Sequence, residues 1–267
     1  MKPDFFSGLS KLTRSRRGTR AGTPTCELAA SAGSFPTEEE SRNKIAYLSA
    51  MRIFRDLSKE EMNLIVSSTV MTTAVRGQLI YAPGETGEAI FLLKKGLVHI
   101  YRLSLEGRKL IIQTVGPMTF FGEMAIMGQS MQNHFAEAAE DCLVCCMGKA
   151  DVERLILSKP QVAIRMMDEI GQRLHDSQER LSDSVFKGTP ARIASLLLHL
   201  SSQGKQPIAG LSHQDLADTI GVYRETVTKT LGQFRDEGLI EIGRKTISLL
   251  NSQKLSEIAQ EEVLRKQ

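Results

Sequence analysis

The chain has 267 residues, with 34 lysines and arginines against 31 aspartates and glutamates, a formal net charge of +3 and 41% hydrophobic residues. That is length enough for more than one packed core, and a balance that excludes polyanion binding through overall basicity, so any contact with nucleic acid must come from local placement. No apolar run is long enough to cross a bilayer and no secretory apolar segment is present, so a soluble cytoplasmic protein without a membrane partner is expected.

Residues 1–38 read as a disordered basic tail. Lys2, Lys11, Arg14, Arg16, Arg17 and Arg20 face only Asp4 and Glu27 in the first 35, and the periodic apolar pattern is slight. A transit-like segment, a non-specific DNA-binding arm and a plain loose extension all fit this composition, and the extension is the simplest.

Residues 39–150 change character. Short helical patterns run from Ile45 to Val66 around Phe54-Arg55-Asp56-Leu57, and strands follow. Ile90–Leu93, Val98–Tyr101 and Leu110–Gln113 are short apolar or alternating runs, punctuated by Gly77, Gly84, Gly87, Gly96, Gly107 and Gly116. Many short strands with glycine turns predict an antiparallel sandwich or jelly roll. Cys142, Cys145 and Cys146 fall on one predicted strand, whose alternation puts Cys142 and Cys146 on one face and Cys145 on the other. Three such cysteines do not converge on one metal. Packing is the favoured role, with redox sensing left open. His99 and His134 lack the paired histidines of a metalloenzyme and read as structural. No catalytic residue and no metal site is assigned.

Residues 151–186 predict a short helix from Asp151 to Leu157 and a longer one starting at Lys159-Pro160. In the long helix Met167, Ile170, Leu174, Ser177, Leu181 and Ser184 follow 3,4 spacing, the pattern of a coiled-coil seam between two copies. Met166 and Val185 widen the stripe and fit a helix packed on its own unit instead. Gly188 and Pro190 should end this helix, and a new one should cover Ala191–Leu200.

Within residues 187–267, the run 212–240 reads as helix-turn-helix. Ser212 and Asp215 form an S-x-x-D capping box, so a helix should start at His213 and stop at Gly221. A second helix should run from about Tyr223 to Glu237 and end at Gly238. Val227, Leu231 and Phe234 then face inward, and Arg224, Glu225, Thr228 and Lys229 outward. A polar first turn propped by a shorter helix suits the DNA major groove, although helical hairpins also occur in ordinary cores. Leu239–Ile242 and Thr246–Leu250 alternate around Gly243-Arg244-Lys245, predicting a hairpin with a cationic tip. Such a tip is either a phosphate-touching wing or a solvated turn.

The run Gly221-Val222-Tyr223-Arg224-Glu225-Thr226-Val227-Thr228-Lys229, followed by Glu237-Gly238-Leu239-Ile240, resembles the recognition segment of the Crp/Fnr regulator family. Gly84-Glu85, Ala89–Gly96 and Phe121-Gly122-Glu123-Met124-Ala125 resemble its cyclic-nucleotide-binding roll, and the likeness extends over roughly residues 44–250. The resemblance implies an α+β chain: an N-terminal β-roll, a long dimerisation helix and a C-terminal winged helix-turn-helix. It implies a homodimer on a palindromic operator in double-stranded DNA, with RNA polymerase as a further partner and activation as the expected outcome.

Base reading falls on Arg224, Glu225 and Lys229. Lys229 stands where the family often has an arginine, and so loses the planar fork that grips guanine. Phosphate contact and positioning fall on Ser212, His213, Gln214, Tyr223, Thr226, Thr228, Arg244 and Lys245. The effector pocket would comprise Gly122, Glu123, Gln132, Asn133, His134, Ser177 and Gln178, and the dimer seam Met167, Ile170, Leu174, Ser177 and Leu181.

Glu123 matches the family's ribose-gripping glutamate. The phosphate-neutralising arginine is absent from residues 128–136, and only Ser177 of the adenine-contacting pair Ser177-Gln178 matches. A buried cyclic phosphate would thus lose a charge-assisted partner. Cyclic AMP binding is not expected, no cofactor is assigned, and the effector stays open. Two competing classes are a cupin-like metalloenzyme, disfavoured by the missing histidine pair, and a nucleotide-sensing subunit without DNA contact, disfavoured by the wing and Arg224-Glu225.

Overall fold

The computed structural model describes residues 39, 43–83, 89–122, 134–202 and 207–261. The predicted tail and the turns at Gly84 and Gly87 lie outside them.

The chain opens with α1 (Lys44–Ser49), a 3₁₀ turn (Arg52–Phe54) and α2 (Lys59–Ser67). The expected helical pattern around Phe54 is thus one tight turn that breaks where Asp56 takes a left-handed φ of 67°. Helix α2 begins with a reciprocal cap: Ser58 N–H donates to Glu61 Oε2 at 2.8 Å, and Glu61 N–H donates to Ser58 Oγ at 3.3 Å.

Eight strands follow: β1 (Thr69–Ala74), β2 (Leu79–Tyr81), β3 (Ala89–Lys95), β4 (Val98–Leu103), β5 (Lys109–Val115), β6 (Thr119–Phe121), β7 (Phe135–Ala138) and β8 (Cys142–Gly148). They pair antiparallel in two sheets ordered β1-β8-β3-β6 and β2-β7-β4-β5, the predicted roll. Between the sheets lie Tyr81, Phe91, Leu93, Val98, Val115, Phe121, Val144 and Cys146. Phe91 and Phe121 stack with centroids 5.1 Å apart, and Tyr81 tilts against Phe91 at 5.9 Å.

The first sheet is covered on its other face too. Ile90, Leu92, Phe120, Cys145 and Met147 pack under Leu48, Phe54, Met62, Ile65, Val152, Val162 and Met166. A strand buried on both faces has no wet side, so Ile90–Leu93 and Cys142–Met147 read as continuous apolar runs. The cysteines divide as alternation predicts, Cys142 and Cys146 inward and Cys145 toward the helices.

Lys94 is a costly group on that helix-covered face. It is 3% exposed, and its Nζ lies 3.9 Å from Met51 Sδ. Burial lowers its pKa from 10.5 to about 8, against a smaller upward pull from Cys145 and a further lowering by Lys44. A base depressed in the folded state binds fewer protons than when unfolded, so it destabilises below pH 8 and ceases to do so as pH rises toward 10.5. Lys94→Met should therefore raise stability at pH 7 by roughly 1–3 kcal/mol, and the gain should shrink by pH 10. Urea unfolding of both forms at the two pH values checks this, and an equal gain at both would refute it.

Helices α3 (Lys149–Ser158) and α4 (Pro160–Phe186) come next, with Pro160 opening α4 where its missing N–H is harmless. The C-terminal unit comprises α5 (Thr189–Ser202), β9 (Ile208–Ala209), α6 (His213–Ile220), α7 (Arg224–Asp236), β10 (Ile240–Gly243), β11 (Thr246–Leu249) and α8 (Ser252–Ala259). Pro190 does not separate α4 from α5 but sits in α5's first turn, another position that tolerates it. Strand β9 has no counterpart in the sequence pattern. It is two residues long, too short to show alternation, and extends the wing to a sheet ordered β10-β11-β9.

Candidate nucleic-acid interface

Two short helices joined by a glycine turn set the geometry of the reading element. Ser212 N–H donates to Asp215 Oδ2 at 2.7 Å and Asp215 N–H to Ser212 Oγ at 3.2 Å, so α6 starts where the capping box predicts. Gly221 ends α6 at φ 70°, the left-handed conformation that costs glycine little. Tyr223 is the N-cap of α7. Val227, Leu231 and Phe234 are buried against Ile193, Leu197, Leu216, Ile220 and Leu255, and Thr230 is buried beside them on the same helix. That inward face fixes the rotation of α7 and leaves Arg224, Glu225, Thr228 and Lys229 lining one open concave surface. The three predicted base readers are therefore together and exposed.

Several expected phosphate contacts are already engaged within the motif. His213 Nδ1 lies 2.9 Å from Thr228 Oγ1, joining the start of α6 to the second turn of α7. Gln214 Nε2 donates to Asp218 Oδ1 at 2.7 Å, and Ser212 Oγ is held by Asp215 Oδ2 at 2.7 Å. Tyr223 is exposed and Thr226 half-buried. In the wing, Gly243 pairs with Thr246, which leaves Arg244 and Lys245 as an exposed two-residue turn with Lys245 at φ 58°.

The sensor-side residues are only partly brought together. Gly122 is buried with φ 85° at the end of β6, and His134 is half-buried just before β7. Glu123, Gln132 and Asn133 lie outside the described residues. Ser177 and Gln178 are exposed on α4, and the Ser177 hydroxyl donates to Arg173 O at 2.8 Å. Along α4, Met167, Leu174 and Leu181 are 61%, 59% and 65% exposed, and Val185 joins them in solvent at 47%. Ile170 departs from this stripe, half-buried against the helix-covered core beside Met166.

Among the described residues no cluster of three or more His, Cys, Asp or Glu side chains could hold a metal, and no helix is long and apolar enough to cross a membrane. Cys142 and Cys145 are buried free thiols. Burial pushes the Cys142 thiol up to about 11 and raises that of Cys145, so neither is a ready thiolate.

The roll, the long helix and the winged reading element have counterparts among known proteins. The family model for a cyclic nucleotide-binding domain matches residues 72–159, and that for a Crp-like helix-turn-helix domain matches residues 191–258. The cyclic AMP receptor protein of Thermus thermophilus is 30% identical over 207 residues, covering 78% of this chain and 96% of that protein. This chain belongs to the Crp/Fnr family of transcriptional regulators.

The transcriptional regulator SdrP of T. thermophilus is 31% identical over 69% of this chain and 91% of its own length. The crystal structure of a Crp/Fnr-family transcriptional regulator from T. thermophilus superimposes with a TM-score of 0.61 at 28% identity, over 73% of this chain and 100% of that one. This Crp/Fnr regulator is thus a transcription regulator with a helix-turn-helix DNA-binding domain, and the relatives it matches are regulators rather than enzymes.

One arrangement in this Crp/Fnr regulator had no signal in the sequence. The C-terminal unit rests on the roll through α6 and β5: Leu110 packs at Gly221, and the Arg108 guanidinium lies 4.7 Å above the Tyr223 ring. More than a hundred residues separate these partners, and nothing in either stretch marks the other as its partner.

Proposed function

We propose that this Crp/Fnr regulator binds a palindromic operator as a homodimer, places α7 in the major groove, and activates transcription through contact with RNA polymerase in response to a signal other than cyclic AMP. The observation that carries this reading is the outward face of α7, where Arg224, Glu225 and Lys229 stand exposed over a buried apolar seat. Arginine forks guanine O6 and N7, glutamate accepts from cytosine N4, and both are long enough to reach base edges. The wing turn Arg244-Lys245 supplies cations suited to phosphate, and the exposed stripe on α4 supplies a surface a second copy would cover. Two recognition helices related by a two-fold axis would meet half-sites about 34 Å apart.

Gel-shift titration against salt tests the reading. Operator affinity should fall steeply with salt, as expected of a dimer making several phosphate contacts, and flat or absent binding would refute it. Arg244→Ala should weaken operator and unrelated DNA alike and shallow the log–log salt slope by about 1–2, one contact from each subunit.

The case against cyclic AMP rests on chemistry. Residues 128–136 hold no lysine or arginine to neutralise a cyclic phosphate, and Ser177, the one match to the base-contacting pair, spends its hydroxyl on its own helix. Calorimetry with cyclic AMP should give no binding in the micromolar range. Micromolar affinity that Glu123→Ala abolishes would overturn this part of the proposal.

A further inference from the structure

Strand β5 is where three parts of the molecule meet. Its Leu110 packs at Gly221, in the turn between α6 and α7. Its Ile112 carbonyl accepts a hydrogen bond from Arg180 Nη1 of α4 at 3.0 Å. The turn that feeds it is tight: Ser104 N–H bonds to Arg108 O at 2.9 Å, and Gly107 N–H bonds to Ser104 O at 2.9 Å with Gly107 at φ 78°. Lys109 is held on the outer face of the sheet, its Nζ 3.2 Å from Glu137 Oε2, which alternates with the inward Ala136 and Ala138, and 4.0 Å from the centre of the Tyr101 ring. Arg108 lies over Tyr223, the residue directly before the proposed base reader Arg224.

The Arg108 side chain is 48% exposed, and its carboxylate partner Glu106 lies 3.6 Å away and is itself 74% exposed, so that ion pair is weak. The guanidinium sits over the tyrosine ring and is still half open to solvent, so its N–H groups remain accessible to a ligand. A planar fork of N–H donors is the geometry that suits a phosphate. An exposed cation–π contact is too weak to lock a domain, but it is enough to aim a side chain.

We propose that the β-roll takes part in DNA binding directly: Arg108, in the turn between β4 and β5, supplies a backbone-phosphate contact beside the recognition helix. The DNA footprint of each subunit then extends from the wing at Arg244, across α7, onto the sensor. The contact is independent of sequence. It also depends on the docking of α6 on β5, so whatever moves the roll against the C-terminal unit also changes the number of phosphates held.

This inference rests on the DNA-binding reading, and its test separates the two. Operator and unrelated duplex are titrated by gel shift over a range of salt with the full-length protein, Arg108→Gln and Arg108→Lys. The glutamine variant should weaken both duplexes by a similar factor, on the order of 10-fold, and reduce the salt slope by about 1–2 for the two subunits. The lysine variant should keep the wild-type slope. A glutamine variant with unchanged slope would overturn the inference by making Arg108 merely structural. A glutamine variant that binds DNA more tightly would also overturn it, because the stacking on Tyr223 would then be a latch that competes with DNA. If the wild-type protein itself binds neither duplex, the DNA-binding reading fails, and this inference falls with it.

Discussion

Glutamate at both Leu174 and Leu181 should leave a folded monomer that no longer holds its operator. Both leucines are more than half exposed, seven residues apart on α4 and in line with Met167, so they form one stripe along one side of the helix. The adjoining face is already occupied: Val162 and Met166 are buried, and Ile170 packs with them against the helix-covered face of the roll. Changing the exposed stripe therefore leaves the subunit's own core intact.

A two-fold interface presents every substitution twice, so four leucines are lost and four carboxylates must be buried or left unpaired. Burying a leucine contributes about 1.5–3 kcal/mol, which sets a penalty on the order of 6 kcal/mol or more, beyond 10⁴-fold in the dimer dissociation constant. A monomer engages one half-site and forfeits the effective concentration that holds the second recognition helix in place. Sedimentation equilibrium and gel shift on the same preparation check both halves of the expectation. A double variant that remains a dimer would show that α4 does not form the interface.

The parts of this fold that were legible in the sequence are those governed by local rules. The capping box at Ser212-Asp215, the stop at Gly221 and the inward triad Val227, Leu231 and Phe234 are all set within one or two helical turns, and α6 and α7 lie where those residues place them. The same holds for the wing, whose two-residue turn is fixed by Gly243 and the alternation on either side. What escaped was set by distant partners. Ile170 sits at a seam position by spacing, yet it turns to its own core because the roll's outer face is there to receive it. The Thr228 hydroxyl looks free on a helical wheel, but His213, fifteen residues earlier, takes it. Strand β9 is created only by pairing with β11, and the stacking of Arg108 on Tyr223 depends on how two packed units meet.

Those distinctions bear on which residues should carry specificity. With the Thr228 hydroxyl bound to His213 and the Gln214 amide to Asp218, the groups free to meet base edges on the exposed concavity of α7 are headed by Arg224 and Glu225. Arg224→Ala should cost about 1–3 kcal/mol at each half-site. In a symmetric operator both subunits lose the same contact, so the total is about 2–6 kcal/mol, a loss of roughly 30-fold at the least. Unrelated DNA offers Arg224 no matching base edge and should lose only its share of the charge, so the ratio of specific to non-specific affinity collapses. Arg244→Ala should leave that ratio unchanged while lowering both affinities, because a phosphate contact is indifferent to sequence. Glu225→Ala should relax the preference at a single base pair in each half-site, read out by competition among operators varied at one position at a time. Were Arg224→Ala and Arg244→Ala to lower both affinities in the same proportion, α7 could not be the element that reads sequence. Specificity would then have to come from the deformability of the operator, recognised through the phosphates alone.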